Sequence, residues 1–356
     1  MIDWSQINRV LLVRLRSLGD TVLMTPSLAL LKQFRPDLHV AVLLEKPSAP
    51  LLKRHPHVDE VIVLSRMPGL LGNVWRRWHL VQRLRRASFD AVFDLHGGPT
   101  ATMLCYLSGA RHRIGYAGYR HSWMLTHRAP DPEVIWQKSN VHSVEQQAGL
   151  LKWAGVPIQQ IPPTSLYARE AVQHNVASRL RRLGIDGAFA LIHPGGTAED
   201  KRWPVERFAR LIEALWSEHG LASVIIGTRR DKAQLDELTT RLGPRLVMMV
   251  DLHLKELVAL CALARLFVGN DSGPAHVAMS QRCPTVVIFG ASNYHVWRPW
   301  GDAPHQVVQV ERDATGRLLA PSERIAHVSV DAVVAAVEHV LSQSTHRTVR
   351  VVEPSA

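Results

Sequence analysis

Short apolar runs alternate with longer amphipathic stretches along the first half of the chain. The apolar runs are four to six residues long and rich in valine, leucine and isoleucine, which is typical of buried strands; they lie at residues 10–15, 39–44, 61–64 and 91–95. The stretch at residues 21–34 has the spacing of a helix that opens directly after the first run. This alternation predicts a parallel sheet covered by helices.

The second half repeats the same pattern. Its apolar runs lie at residues 189–193, 223–227, 246–250, 266–269 and 285–289. A proline-containing connector at residues 155–164 separates the halves, so the boundary is expected near residue 165. The sequence therefore predicts an α/β protein of two doubly wound, Rossmann-like domains, residues 1–165 and 166–329, followed by a helix at 330–343 and a frayed tail at 344–356.

Length and composition agree with this division. A chain of 356 residues exceeds the size at which one core usually keeps growing, and 46% hydrophobic with 21% charged residues is ordinary for a globular protein. Cys105, Cys261 and Cys283 are far apart and are interpreted as small buried hydrophobes. Because the N-terminus lacks a signal pattern and no apolar run reaches about 18 residues, we expect a cytoplasmic protein.

The net charge of +11 is concentrated in the first half. No Asp or Glu occurs between Glu60 and Asp90, where there are six arginines interleaved with tryptophan and leucine: Arg66, Arg76, Arg77, Arg83, Arg85 and Arg86. Four more arginines lie in the acid-free stretch between Asp94 and Asp131. This pattern favours an anionic partner such as nucleic acid, an acidic membrane face or a phosphorylated glycolipid. The alternative is a solvated basic face that only aids solubility.

The first chemically suggestive loop is residues 14–21, between the first strand and its helix. Asp20 is placed where a carboxylate could remove a proton from an attacking hydroxyl. An Asp just before a helix is also a favoured N-cap, so the residue alone leaves both roles open.

A second loop, residues 193–204, leaves the first strand of the second half. Gly195 and Gly196 allow close approach of the backbone, Thr197 offers a hydroxyl and Lys201 a positive charge, which together suit a diphosphate. The pattern differs from a P-loop because no Gly-Lys-Ser/Thr follows the glycines. A plain glycine-rich turn with a solvated lysine is the alternative.

A third loop, residues 267–276, joins a strand to a helix through Asp271, Ser272 and Gly273. Backbone amides at a helix N-terminus form an anion site. His276 lies one turn into that helix and could face phosphate or sugar. His276 could equally be a packing residue, and Asp271 a simple cap.

Together the three loops resemble glycosyltransferase family 9, the ADP-heptose:lipopolysaccharide heptosyltransferases. The resemblance runs from about residue 9 to residue 310 and depends on the order of three segments: Gly19-Asp20, residues 201–208 (Lys-Arg-Trp-Pro-x-Glu-Arg-Phe) and residues 269–276 (Gly-Asn-Asp-Ser-Gly-Pro-x-His). It implies a GT-B architecture, with an N-terminal acceptor domain and a C-terminal nucleotide-sugar domain facing across a cleft, and a last helix that crosses back to the first domain.

The resemblance also implies roles for individual residues. Asp20 matches the general base. The donor diphosphate and nucleotide would be bound by Gly195, Gly196, Thr197, Lys201, Asp271, Ser272, Gly273 and His276, with Leu254 in the segment that touches adenine. Arg14, Arg16, Arg113 and Arg120 would bind the anionic acceptor. No metal or cofactor is implied, and the sequence has neither an Asp-x-Asp pair nor a ligand cluster with metal spacing.

The implied reaction is an inverting transfer of heptose from ADP-heptose to the phosphorylated inner core of lipopolysaccharide at the cytoplasmic face of the inner membrane. Residues 74–86 would contact the membrane peripherally, although Arg77 and Arg85 interrupt their apolar face. Three alternatives stay open: a GT-B transferase with another nucleotide sugar or acceptor, a transferase-like scaffold without activity, and a basic nucleic-acid-binding protein, although no nucleic acid is expected as a partner of the transferase.

Overall fold

The computed structural model describes residues 2–65, 70–243 and 246–344. The chain divides into two compact units, Met1–Leu166 and Tyr167–Ala356, so the division falls one residue beyond the predicted boundary. Arg66 of the first basic stretch and the predicted tail from residue 345 onward lie outside the described residues.

The first unit is built on a six-stranded sheet in the order β3-β2-β1-β4-β5-β6, in which every pairing is parallel. Its strands are β1 (Arg9–Val13), β2 (His39–Glu45), β3 (Glu60–Leu64), β4 (Ala91–Asp94), β5 (His112–Tyr116) and β6 (His127–Ala129). Its helices are α1 (Leu18–Leu23), α2 (Thr25–Phe34), α3 (Leu70–Arg86), α4 (Pro99–Leu107), α5 (Pro132–Trp136) and α6 (Ser143–Trp153). The central strand β1 is buried from Val10 to Val13, as a strand covered on both faces should be.

The second unit repeats this topology, with the order β12-β11-β10-β7-β8-β9 and again only parallel pairings. Its strands are β7 (Phe189–His193), β8 (Ala222–Gly227), β9 (Leu246–Val250), β10 (Leu266–Asn270), β11 (Thr285–Ile288) and β12 (His305–Val308). Its helices are α7 (Glu170–Arg182), α8 (Val205–His219), α9 (Lys232–Leu242), α10 (Leu254–Leu263), α11 (Gly273–Ser280), α12 (Tyr294–Trp297), α13 (Arg324–His327) and α14 (Val330–Gln343). Two doubly wound α/β units are thereby confirmed.

The helix predicted at residues 21–34 is two helices, because α1 ends at Leu23 and α2 begins at Thr25. Pro26 in the first turn of α2 has no N–H to donate to Val22, and the Thr25 hydroxyl donates to the Val22 carbonyl instead, at 2.8 Å. A proline therefore starts a new helix here.

The last helix, α14, packs its buried face within the second unit. Its buried residues Val330, Val333, Val337 and Val340 belong to the hydrophobic core of the second unit, and the helix contacts α8, β11 and β12. This buried face is part of the second core, and the expectation that the helix crosses back to the first domain stays a prediction. Within the described residues, no helix combines the length and apolarity needed to cross a bilayer.

Candidate active site

Both units place polar side chains at the same topological position. In each sheet the strand order reverses between two neighbours, β1 and β4 in the first unit and β7 and β10 in the second. Ligands of open α/β sheets bind beyond the carboxyl ends of the strands at such a switch point. The loops that follow β1, β7 and β10 carry Asp20 and most of the residues predicted to bind the donor.

Asp20 lies in the first turn of α1, and Ser17 is the residue that caps this helix. The Ser17 hydroxyl accepts from the Asp20 backbone N–H at 3.1 Å and donates to the Asp20 carboxylate at 2.8 Å. The interpretation of Asp20 as the N-cap is therefore wrong. Its other carboxylate oxygen forms an ion pair with Arg14, whose side chain is 10% exposed against 15% for Asp20. The carboxylate is held from two sides and still reaches solvent.

The end of β4 adds a group that sequence reasoning missed. Asp94 is fully buried and accepts from the backbone N–H groups of His96 at 3.0 Å and Gly97 at 2.8 Å, and from the Thr102 hydroxyl at 2.6 Å. Burial raises the pKa of Asp94 against the effect of these bonds. Asp94 thus shapes the turn that presents His96, whose pKa is lowered by burial and by the nearby Arg14. A strand that ends in Asp-Leu-His-Gly was the available signal.

A cavity of about 310 Å³ opens at this switch point in the first unit. Its polar lining includes Arg14, His96, Tyr119, Asp131, Gln146 and Gln147. The hydroxyl, amide, imidazole and guanidinium groups of this lining suit a ligand rich in hydroxyl groups and negative charge. Arg14 links the cavity to Asp20. Its guanidinium donates to the Asp20 carboxylate and also to the carbonyl of Leu95, which lines the cavity.

The four arginines predicted to bind the acceptor are not equivalent. Arg14 is buried at the cavity, and Arg16 is exposed with a positive φ of 67°. Arg113 donates to the carbonyls of Met124 at 3.0 Å and Ala110 at 2.7 Å and lies 5.5 Å from the ring centre of Tyr106, so it fixes a loop. Arg120 is exposed. Only Arg14 among them lines the cavity.

In the second unit, Asn270 ties the loop after β7 to the end of β10. Its side chain is fully buried; the amide donates to the Pro194 carbonyl at 2.7 Å, and the side-chain oxygen accepts from the Trp203 N–H at 3.2 Å. Trp203, also fully buried, donates from its indole to the Val328 carbonyl at 2.9 Å. These bonds set the position of Gly195, Gly196 and Thr197 beside the Asp271 loop.

Lys201 and Asp271 form an ion pair across the two loops, with 3.1 Å between ammonium and carboxylate. The Asp271 side chain is 9% exposed and that of Lys201 is 30% exposed. The cap interpretation of Asp271 is wrong, because α11 begins at Gly273 with Ser272 in the cap position. The structure therefore brings together two of the residues predicted to bind the diphosphate.

The remaining residues predicted to bind the donor differ in burial and position. Gly195 is buried, Gly196 is half-buried and Thr197 is exposed. His276 is 5% exposed in the first turns of α11. Leu254 is half-buried and is the first residue of α10. It follows β9, the edge strand that lies next to β8. His193 and Asn270 are further site residues that the sequence analysis did not assign.

One group of side chains in the described part of the chain has the spacing of a metal site: Glu218, His219 and Glu338. It lies at the end of α8, just before β8, and therefore at the amino ends of the strands. The two polar clusters lie at the carboxyl ends. The exposed group of Glu218, His219 and Glu338 is therefore separate from both polar clusters.

Two doubly wound units of this topology, each with a polar cluster at its switch point, are the architecture of the GT-B class of glycosyltransferases. The model of glycosyltransferase family 9 (heptosyltransferase) matches residues 77–319. Lipopolysaccharide heptosyltransferase 3 from Escherichia coli is 26% identical over 350 residues, which cover 93% of this chain and 98% of that protein.

Two solved structures share the fold. The glycosyl transferase family 9 structure from Veillonella parvula superimposes with a TM-score of 0.83 at 21% identity, over 95% of this chain and 98% of that one. The E. coli ADP-heptose lps heptosyltransferase II has a TM-score of 0.77 at 21% identity, over 94% and 99%. The chain belongs to glycosyltransferase family 9, and it is a glycosyltransferase.

Proposed function

We propose that this chain transfers heptose from ADP-heptose to the inner core of lipopolysaccharide. The observation that carries this proposal is the Lys201–Asp271 pair beside the α11 N-terminus, in a chain related along nearly its whole length to a lipopolysaccharide heptosyltransferase. The second unit would bind the donor and the first unit the acceptor.

The donor site is suited to a nucleoside diphosphate. Lys201 supplies a positive charge, Thr197 a hydroxyl, and the start of α11 backbone N–H groups aligned with the helix dipole. Negative charge grows on the diphosphate as its bond to the sugar breaks, and donors fixed in advance stabilise that charge most. Leu254 at the start of α10 would contact the adenine.

Asp20 would act as the general base in the first unit. It takes the proton of the acceptor hydroxyl while that oxygen forms a bond to the anomeric carbon, and ADP leaves from the opposite side. A single displacement of this kind inverts the anomeric centre. Ser17 and Arg14 orient the Asp20 carboxylate, so the base is already in position before the sugar substrate binds. This scheme needs no metal ion.

The acceptor would enter the cavity at Arg14, His96 and Tyr119. Its anionic groups would meet Arg14 inside and Arg16 and Arg120 at the surface. Helix α3 would contact the membrane face that carries the acceptor, since Trp75 is 63% and Trp78 is 55% exposed among the arginines of this helix.

A binding screen of the purified protein against ADP-, UDP- and GDP-sugars tests the donor. We expect ADP and ADP-heptose to bind most tightly, followed by transfer to heptose-deficient lipopolysaccharide and release of ADP. Preference for another nucleotide would contradict the ADP-heptose assignment and leave the fold and family unchanged. Tight binding of DNA or RNA with no nucleotide-sugar binding would favour the nucleic-acid alternative.

A further inference from the structure

The Ser272 hydroxyl stands between two partners that are not part of its helix. Its oxygen lies 2.9 Å from the Asn270 carbonyl oxygen and 3.0 Å from Nδ1 of His193. Ser272 occupies the cap position of α11, yet its side chain makes no capping bond to that helix. A serine in this position usually caps. Here the hydroxyl is held away from the helix amides.

The protons of this group can be assigned from the partners. A carbonyl only accepts, and a serine hydroxyl has a single proton. Both contacts are satisfied when Ser272 donates to Asn270 and His193 donates from Nδ1 to Ser272. Burial lowers the pKa of His193 to about 4, so at neutral pH the ring carries one N–H, and placing it on Nδ1 completes the chain.

The His193 ring is fixed from its other edge as well. A Cβ on Gly195 would lie 3.0 Å from Nε2 of His193, so the ring packs directly against the backbone of the loop. Asp231, the nearby carboxylate, is already bonded to the Thr228 N–H at 2.9 Å and to the Thr228 hydroxyl at 2.7 Å. His193 therefore connects the glycine loop to Ser272.

We propose that His193 is a positioning residue for donor binding: its Nδ1–H donates to the Ser272 hydroxyl, whose own proton is then free to turn from the Asn270 carbonyl to a diphosphate oxygen. The inference rests on the proposed donor site. Each bond in such a chain polarises the next, which strengthens the last bond, to the anion. The Ser272 side chain does not cap α11, so the Gly273 N–H at the start of that helix can approach the same anion.

A double-mutant cycle tests this pathway. His193→Phe keeps a ring without the donor, and Ser272→Ala removes the hydroxyl. We expect His193→Phe to weaken ADP binding, measured by calorimetry, and to raise the donor KM, each by about two- to tenfold, the range of one hydrogen bond. In the Ser272→Ala background the same change should have no further effect, because the bond it removes is already lost.

His193→Asn serves as the conservative variant, since its side-chain amide can donate to the same hydroxyl, and His174→Phe, on the exposed face of α7, is the matched control. Both are expected to bind ADP about as tightly as the wild type. An equal loss from His193→Phe in both backgrounds, or none in either, overturns the inference. If His193→Phe unfolds, the inference is overturned when His193→Asn binds ADP as weakly as Ser272→Ala does. Wild-type protein that binds no ADP overturns the proposed function together with this inference.

Discussion

Arg14 and Asp20 form an ion pair that joins the residue after β1 to the first turn of α1. The pair orients one carboxylate oxygen, and Ser17 orients the other. Ser17 caps α1, so the Asp20 carboxylate does not serve as the helix cap.

Asp20→Asn should lower kcat by about 10²- to 10⁴-fold, because the amide has a similar shape and cannot take a proton. ADP affinity should not change, since the donor site belongs to the second unit. Steady-state transfer assays and calorimetry with ADP measure the two effects. Asp186→Asn, at an exposed position, is the matched control. Full turnover by the Asp20 variant would exclude Asp20 as the base.

Gly290 lies directly against the loop that carries Lys201. A Cβ at this position would lie 2.1 Å from the Asp200 carbonyl oxygen and 3.0 Å from Cβ of Ile325. Gly290→Ala should therefore shift the backbone before Lys201, raise the donor KM and lower the free energy of unfolding by about 1–3 kcal/mol.

Gly187→Ala is the matched control, because a Cβ there meets no atom within 4 Å. Thermal unfolding and donor kinetics of both variants check this prediction. Equal behaviour of the two alanine variants would show that the loop accommodates a side chain at Gly290.

His55 makes stability depend on pH. It is 3% exposed, its Nε2 lies 3.2 Å from the Ser165 carbonyl oxygen, and burial lowers its pKa from 6.5 to about 4. Since the unfolded chain binds the proton first, the stabilisation is complete above pH 6.5 and is lost as the pH falls toward 4. The loss from this residue at pH 5 is about 2 kcal/mol.

Urea unfolding at pH 7 and pH 5 measures the effect. His193 shifts in the same direction, so the wild type should lose more than His55 alone contributes. His55→Gln should lose less than the wild type between these pH values, and His174→Gln, exposed on α7, should lose as much. The same pH dependence in all three proteins would contradict the role of His55.

The exposed tryptophans of α3 should matter for membranes and not for chemistry. Trp75→Ala combined with Trp78→Ala is expected to reduce sedimentation with anionic vesicles severalfold and to leave turnover on a detergent-solubilised acceptor unchanged. Trp216→Ala, 42% exposed in the second unit, is the control. Unaltered vesicle binding by the double variant would place the membrane contact elsewhere.

The sequence predicted the sheets well, because buried parallel strands are nearly continuous apolar runs. It missed β5, β6 and β12, in which charged or polar residues such as His112, Arg128 and Gln306 interrupt the run. The apolar stripe of α14 was visible, but such a stripe does not say which core will receive it.

The sequence assigned Asp20, Lys201 and Asp271 to the candidate site because each has a reactive or charged side chain in a loop that directly follows a predicted strand. Asn270 and His193 were missed because their roles depend on distant contacts: Asn270 binds Pro194, 76 positions away, and His193 binds Ser272, 79 positions away. No local pattern reports such pairings. The placement of Ser17 and Ser272 at cap positions likewise depends on where a helix begins, which sequence patterns fix only to within a few residues.

The carboxylates beside α3 are already committed: Glu60 pairs with Arg9 and Arg83, and Asp90 accepts from the backbone N–H groups of Asn8 and Arg9. The attraction of this face for anions is screened by dissolved ions and weakens as the ionic strength rises. Salt concentration is the variable by which a cell, or an experimenter, can tune it.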